Sequence, residues 1–259
     1  MKMDMHCHTK EGSIDAKVDI FSYIRKLKEE GFDGMLVTDH NSYDGYRTWK
    51  QKVAVDDELG DFTVLKGIEY DTRDGGHMIA ILPDGVKCRL LELRGMTVNR
   101  LEHIVHHLGG ILGPAHPYGT GFFAAMHTRH VKKNFDILKK FDFIETFNSY
   151  NHPSANQKAR ELAEMLDKPE TAGSDAHRSE YVGTAGTVFD RIIKCNNDLI
   201  TAIKEKYPVK EARDFKEILQ KKENLILKQL GIVGYWIYNK IGAFSYTIAR
   251  KIEYYRHDF

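Results

Sequence analysis

The chain has 259 residues, 42% of them hydrophobic and 29% charged, the balance of a folded globular protein and not of a disordered one. Its 38 basic and 37 acidic residues leave a formal charge of +1, which argues against a general coat for nucleic acid, since phosphate-tracking proteins carry a basic excess. Cys7, Cys88 and Cys195 are too scattered for a disulfide framework or a CxxC zinc site, and the opening MKMDMHCH has no apolar signal core, so a reducing, cytoplasmic setting is expected. The 13 histidines exceed the usual share of about two per hundred residues, and their placement decides the reading.

Short β-type runs alternate with helical stretches along the chain. A strand over 3–7 precedes a helix over 18–30, whose apolar stripe is Val18, Phe21, Ile24 and Leu27 and whose end is set by Gly31. A strand at 34–38, a helix near 43–55 and a strand at 63–68 follow. Another strand covers 77–82, closed by a Pro-Asp-Gly turn at 83–85. A helix over 98–108 stops at Gly109 and Gly110. Strands at 111–115, 143–147 and 187–189 complete the set, with a helix over 154–166 between the last two. This alternation predicts an α/β fold with a largely parallel sheet, and so many units in about 200 residues suit a barrel better than a small open sheet.

Beyond Pro208 the character changes. Residues 210–259 hold ten basic and six acidic side chains, a net +4, which leaves −3 for residues 1–209. The stretch 229–249 carries a single charge, Lys240, between basic flanks, and Tyr235, Trp236 and Tyr238 are residues that favour a membrane interface. A helical tail over 210–259 is expected, packed on the barrel, on a second copy of the chain in a homodimer, or on a membrane surface, where it would make the protein peripheral.

Asp4, His6 and His8 alternate along the first strand and so share one face, where two imidazoles can bind one metal and Asp4 can hold a ligand's second ring nitrogen. Later strands deliver more such groups near their ends: Asp39-His40, Glu69, His77, His116, and the Asp175-Ala176-His177 pair. In α/β folds the carboxyl ends of parallel strands form the active face, and histidines and carboxylates gathered there are poorly explained by packing. No GxSxG, P-loop or Rossmann fingerprint is present.

DxHxH at 4–8, TDH at 38–40, GIE at 67–69, AHP at 115–117 and GSDAH at 173–177 occur in the order found in the PHP (polymerase and histidinol phosphatase) family, which the chain resembles over about residues 1–190. The resemblance is to the small stand-alone metal-dependent phosphoesterases of that family. It implies a distorted (β/α)7 barrel over residues 1–209, with the helical extension following. By the same resemblance His6, His8, Glu69 and Asp175 surround one metal, and Glu69, His77 and His116 hold a second, with Glu69 bridging. Asp15, His40 and His177 hold a third, with Glu11 competing for the place of Asp15.

Mixed imidazole and carboxylate donors suit Mn, Zn or Fe, so two or three such divalent ions are the implied cofactors. The implied chemistry is attack on phosphorus by a metal-bridged hydroxide, with Glu69, Asp175 and His177 as catalytic residues. Arg129 and Arg178 are candidate clamps for the substrate phosphate. Asp39 and Glu145 are candidates for holding ligands or touching substrate, as are Asn148, Asn151 and His152 at a strand end. His103 and His107, one helical turn apart, read as an exposed helix face. A hydrolase of a small phosphomonoester or nucleotide is the expected function, with long nucleic acid disfavoured by the net-negative barrel. The other readings are a nuclease of short oligonucleotides, a phosphotyrosine phosphatase, and a non-catalytic metal-stabilised binding scaffold.

Overall fold

The structure is a computed structural model, described for residues 1–53, 61–119, 123–206, 209–211, 233, 234, 237 and 241. The expectations placed on 229–249, and nearly all of those for the tail, lie outside the described residues. No helix among the described residues is long and apolar enough to cross a membrane.

The chain opens with β1 (Lys2–Cys7), α1 (Ile20–Glu29), β2 (Gly34–Val37), α2 (Asp44–Val53) and β3 (Thr63–Asp71). It continues through β4 (His77–Ile81), α3 (Val98–His107), β5 (Ile111–Pro114), α4 (Arg129–Lys133) and β6 (Ile144–Asn148). It ends with α5 (Pro153–Leu166), β7 (Glu170–Gly173), β8 (Thr187–Phe189), α6 (Asn196–Lys204) and β9 (Val209–Glu211). The α1 helix starts where the Asp19 carboxylate accepts from the Ser22 amide at 3.0 Å, and it buries Ile20, Tyr23, Ile24 and Leu27 against the sheet. Gly31, at φ 72°, turns the chain out of it.

One curled sheet has the strand order β5-β4-β3-β2-β1-β8-β9, and β6 and β7 form a separate parallel pair. The pair sits against β1. Asp175 N donates to His6 O at 2.8 Å, and Cys7 bridges Ala176 in parallel fashion. The result is an α/β fold whose sheet curls into a half-barrel. Gly173 makes the β1–β7 approach possible: a Cβ there would lie 2.3 Å from His6 Cβ and 2.5 Å from its nitrogen.

The expected largely parallel sheet needs correction. β1–β2 and β2–β3 are parallel, whereas β3–β4, β4–β5, β1–β8 and β8–β9 are antiparallel. For β3–β4 the cause is the short connection over 72–76, since a parallel return needs a crossover of about a dozen residues or more. The reversal has a consequence for the site. His77 opens β4 opposite Asp71 at the end of β3, so a residue at the beginning of a strand reaches the face where the other strands end. The structure also contains α4, β7, α6 and β9, which the sequence pattern does not predict.

Candidate metal centre

Ten side chains converge at that face: His6, His8, Asp15, His40, Glu69, Asp71, His77, His116, Asp175 and His177. His6, His8 and Glu69 are fully buried. His6 Nε2 lies 3.1 Å from His8 Nε2, 3.5 Å from Glu69 Oε1 and 3.5 Å from Asp175 Oδ1. His8 Nε2 lies 3.3 Å from Glu69 Oε2 and 3.1 Å from Asp175 Oδ1. Donors at about 2.1 Å around a tetrahedral ion are separated by about 3.4 Å, so His6, His8 and Asp175 already have the spacing of one coordination shell, with Glu69 against both imidazoles through its two oxygens. His77 Nδ1 and His116 Nε2 stand 2.9 and 3.0 Å from the same Glu69 Oε1, a second group that shares Glu69.

The third expected group is looser. Asp15 Oδ2 is 3.3 Å from His177 Nε2 and 3.7 Å from His40 Nε2, and its side chain is 54% exposed. His8 stacks on both imidazoles, with centroids 4.2 Å from His177 and 4.5 Å from His40. Glu11, the competitor for the Asp15 place, turns instead to the Ile20 amide, 3.2 Å away.

The ligands are held from behind by carboxylates and hydroxyls. Glu145 Oε1 takes His6 Nδ1 at 2.8 Å, while its Oε2 accepts from the His116 amide at 2.5 Å and from Asn148 Nδ2 at 3.2 Å. Asn148 also donates to Asp175 Oδ2 at 3.0 Å. Asp39 accepts from Thr9 N at 2.6 Å and from Ser13 Oγ at 3.1 Å, and Ser13 Oγ in turn meets His8 Nδ1 at 3.1 Å. Asp39, Glu145 and Asn148 therefore fix ligands, the outer partnership that sets ring orientation at metal sites.

Asp4 does not do so. Its carboxylate accepts from Ser174 N at 2.9 Å, Ser174 Oγ at 2.5 Å and Tyr23 Oη at 3.3 Å, and it touches His6 only at the backbone amide. A register irregularity in β1 between Asp4 and Cys7 breaks the simple alternation that would have set it beside the imidazoles. Burial raises the Asp4 carboxyl to about 6 despite those hydrogen bonds.

The remaining candidates divide. Asn151 lines the cavity beside the cluster, a space of about 270 Å³ walled also by Phe123 and Tyr150. No sequence pattern marks Phe123 or Tyr150, because a lone aromatic in a loop carries no periodic signal. Arg129 and Arg178 are exposed, and neither is among the described residues that line this cavity. His152 caps α5 through the Ser154 amide. His103 and His107 are exposed, as the helix pattern predicts.

Electrostatics favour cations here. Burial alone would raise the Glu69 carboxyl, but His77, His6 and His40 together hold it well below the usual range. Burial likewise opposes charge on His40, yet Glu69, Asp71 and Asp15 raise it to about 10. His40 Nδ1, Glu69 Oε2 and Asp71 Oδ1 are buried with no hydrogen-bond partner, a costly arrangement that divalent cations would relieve. Two of the expected ligands, His116 at φ 30° and Asp175 at φ 54°, occupy the left-handed backbone region, a strained conformation for residues other than glycine. The donor set and the orphaned atoms thus fit the divalent ions that the motifs imply.

Residues 153–207, from α5 through α6, match the family described as PHP-associated. A search of curated proteins finds no significant match. Among solved structures, a candidate metal-dependent phosphoesterase from Bifidobacterium adolescentis is 15% identical, with 76% of this chain and 93% of that one covered and a TM-score of 0.54. A two-domain protein with a PHP-like metal-dependent phosphoesterase, from Bacteroides vulgatus, is 17% identical over 80% of this chain and 63% of that one, with a TM-score of 0.51.

 Endonuclease Q in complex with a 27-mer duplex carrying an abasic lesion is 17% identical over 81% of this chain and 57% of that one, with a TM-score of 0.55. With the motif order met by this fold and by the matched segment, the resemblance is borne out: the chain has the fold of PHP-like metal-dependent phosphoesterases, stand-alone ones included, and carries a PHP-associated segment.

Proposed function

We propose that the protein is a metal-dependent hydrolase of phosphate esters acting on a small phosphomonoester or nucleotide. The observation that carries this is the first group of donors: His6, His8 and Asp175 at 3.1 to 3.5 Å from one another, with Glu69 oxygens 3.5 and 3.3 Å from the two imidazoles, beside a cavity of about 270 Å³. That space suits a phosphoryl group with part of its ester, and is small beside common ligand pockets of about 300–1,000 Å³. Two or three divalent ions (Mn, Zn or Fe), held by the nine residues named from the motifs, would supply a nucleophilic oxygen at neutral pH and neutralise charge on the phosphoryl group.

The chain's own residues do the positioning. Glu69 belongs to the second group and lies against both imidazoles of the first, and so links the two. Asp175, tethered by Asn148, and His177, at the cavity wall, complete the set whose loss should cost turnover. Phe123, Tyr150 and Asn151 wall the place of the ester's organic part. Arg129 and Arg178, exposed, act at the outer rim in this reading. Residues 1–209 are read as the catalytic unit, whose sheet β9 carries on through Glu211.

The likeness to endonuclease Q favours a second reading, a nuclease, and leans against the exclusion of long nucleic acid. One experiment separates the two. Manganese-loaded protein is given a nucleoside bisphosphate, a phosphotyrosine peptide, a short 5′-phosphorylated oligonucleotide and a duplex with an abasic lesion, with Glu69→Gln as control. Phosphate release that disappears in the control supports the monoesterase. Strand scission without phosphate release replaces it with the nuclease. Neither product, with metal bound, overturns both and leaves the scaffold.

A further inference from the structure

Asp71 belongs to none of the five motifs, yet it is 2% exposed and lies two residues after Glu69 on β3, on the same face. Asn41 sets its direction. The Asn41 amide nitrogen donates to Asp71 Oδ2 at 2.8 Å, and the Asp71 backbone donates to Asn41 Oδ1 at 3.0 Å. Asn41 itself stands in the left-handed region at φ 48°. With Oδ2 occupied, Oδ1 points at the imidazoles: 3.2 Å from His77 Nε2 and 3.6 Å from His40 Nδ1. Although these atoms are close, Asp71 Oδ1 and His40 Nδ1 are buried and make no hydrogen bond, and neither does Glu69 Oε2, 3.1 Å from His40 Nδ1.

Close donor atoms without hydrogen-bond geometry are what a shared cation leaves behind. Ligands at about 2.1 Å from one ion are about 3.0–3.4 Å apart, with their lone pairs aimed at the ion and not at each other. We propose that Asp71 is itself a metal ligand, binding a divalent first-row cation together with His40 and His77 at an inner position that the motifs do not assign. His40 then contributes Nδ1 and His77 Nε2, each in place of the nitrogen it would give to the groups expected from the motifs, since a neutral imidazole has one lone pair to give, and Asp15, half exposed, is dispensable to this ion. The inference rests on the reading of the cluster as a metal centre. It adds a fourth carboxylate to Asp15, Glu69 and Asp175, and two imidazoles with one carboxylate match manganese, iron or zinc.

The test is metal content, measured apart from catalysis. Wild type, Asp71→Asn, Asp71→Ala and Asp15→Asn are stripped, checked for folding by circular dichroism, and titrated with Mn by calorimetry; bound metal is then counted by mass spectrometry. Cobalt absorption spectra of the same proteins report on the ligands directly. Both Asp71 variants should lose one equivalent, or bind it at least tenfold more weakly, with an altered cobalt spectrum, while Asp15→Asn keeps it. Unchanged count, affinity and spectrum in both Asp71 variants overturn the proposal while leaving the metal centre standing. A folded wild type that binds no metal overturns the metal centre itself.

Discussion

Replacing Glu145 by Gln tests how the centre is held, because both faces of this carboxylate accept. Oε1 meets His6 Nδ1 at 2.8 Å, and Oε2 accepts from the His116 amide at 2.5 Å and Asn148 at 3.2 Å. An amide of the same shape offers one acceptor and one donor. If its oxygen stays with His116 and Asn148, its NH₂ faces His6 Nδ1, which must then carry the lone pair. The proton moves to Nε2, the atom placed 3.1 Å from His8 Nε2 for ligation. If the amide turns over, its NH₂ meets two donors in a pocket where Glu145 is 1% exposed. An unsatisfied buried polar group costs about 1–3 kcal/mol, and losing an outer partner of a metal-bound histidine weakens metal affinity about 10–100-fold. Calorimetric Mn titration of the stripped variant should show that loss, with helical content retained by circular dichroism. Mn affinity within threefold of wild type would refute the reasoning.

Three further outcomes follow from the same contacts. Gly173→Ala places a methyl group 2.3 Å from His6 Cβ, so urea unfolding of the stripped protein should show a loss of about 1–3 kcal/mol or more; stability within 0.5 kcal/mol of wild type, a rough bound on measurement, would be inconsistent with the close β1–β7 packing. His40 is raised to about 10, so at neutral pH its proton competes with metal; apparent Mn affinity should rise from pH 6 to 8 with proton release, seen as a buffer-dependent calorimetric heat. His106, between Asp142 at 2.8 Å and Glu102 at 3.0 Å, is raised chiefly by its hydrogen bond to Asp142. A raised folded-state value means its contribution is full below the unfolded value of about 6.5 and fades as pH climbs through the folded one. His106→Ala should therefore cost about 1 kcal/mol at pH 5.5, solvent screening included, and less at pH 9; an equal cost at both would count against the ion pairs.

Much of the site was legible because strand ends are written in local patterns. His6 and His8 lie two apart on a strand, and so they meet on one face. Glu69, His116, Asp175 and His177 follow short apolar runs, which is where an α/β chain turns out of its sheet. What stayed hidden depends on contacts between distant segments. Asp4 obeys the same alternation as His6, but the register irregularity in β1 and the hydroxyls of Tyr23 and Ser174 claim it. Glu145 was one candidate among several until β6 brought it 2.8 Å from His6, across 139 positions of chain. Asp71, two residues from Glu69 and so on the same face of β3, is legible in principle, although no motif includes it. The antiparallel β4 was readable too: five residues cannot carry a parallel crossover.

The density of charge at this face ties the fold to its ions. Glu69, Asp71, Asp175 and the carboxylates behind them, Asp39 and Glu145, are buried at 9% exposure or less, amid imidazoles that are themselves mostly buried. Without cations, ionised carboxylates of this kind are neutralised only by protons on those imidazoles, which is the state in which burial and Coulomb attraction oppose each other most sharply. Cations that bind the folded chain and not the unfolded one add RT ln(1 + [M]/Kd) to stability, about 2.7 kcal/mol at a hundredfold excess over Kd. The stripped protein should therefore melt lower than the Mn-loaded one, and the gap should narrow as pH falls and protons take the place of metal. A melting temperature indifferent to Mn at pH 8 would mean that the cluster is balanced by its own histidines, and the case for a metal centre would fall with it.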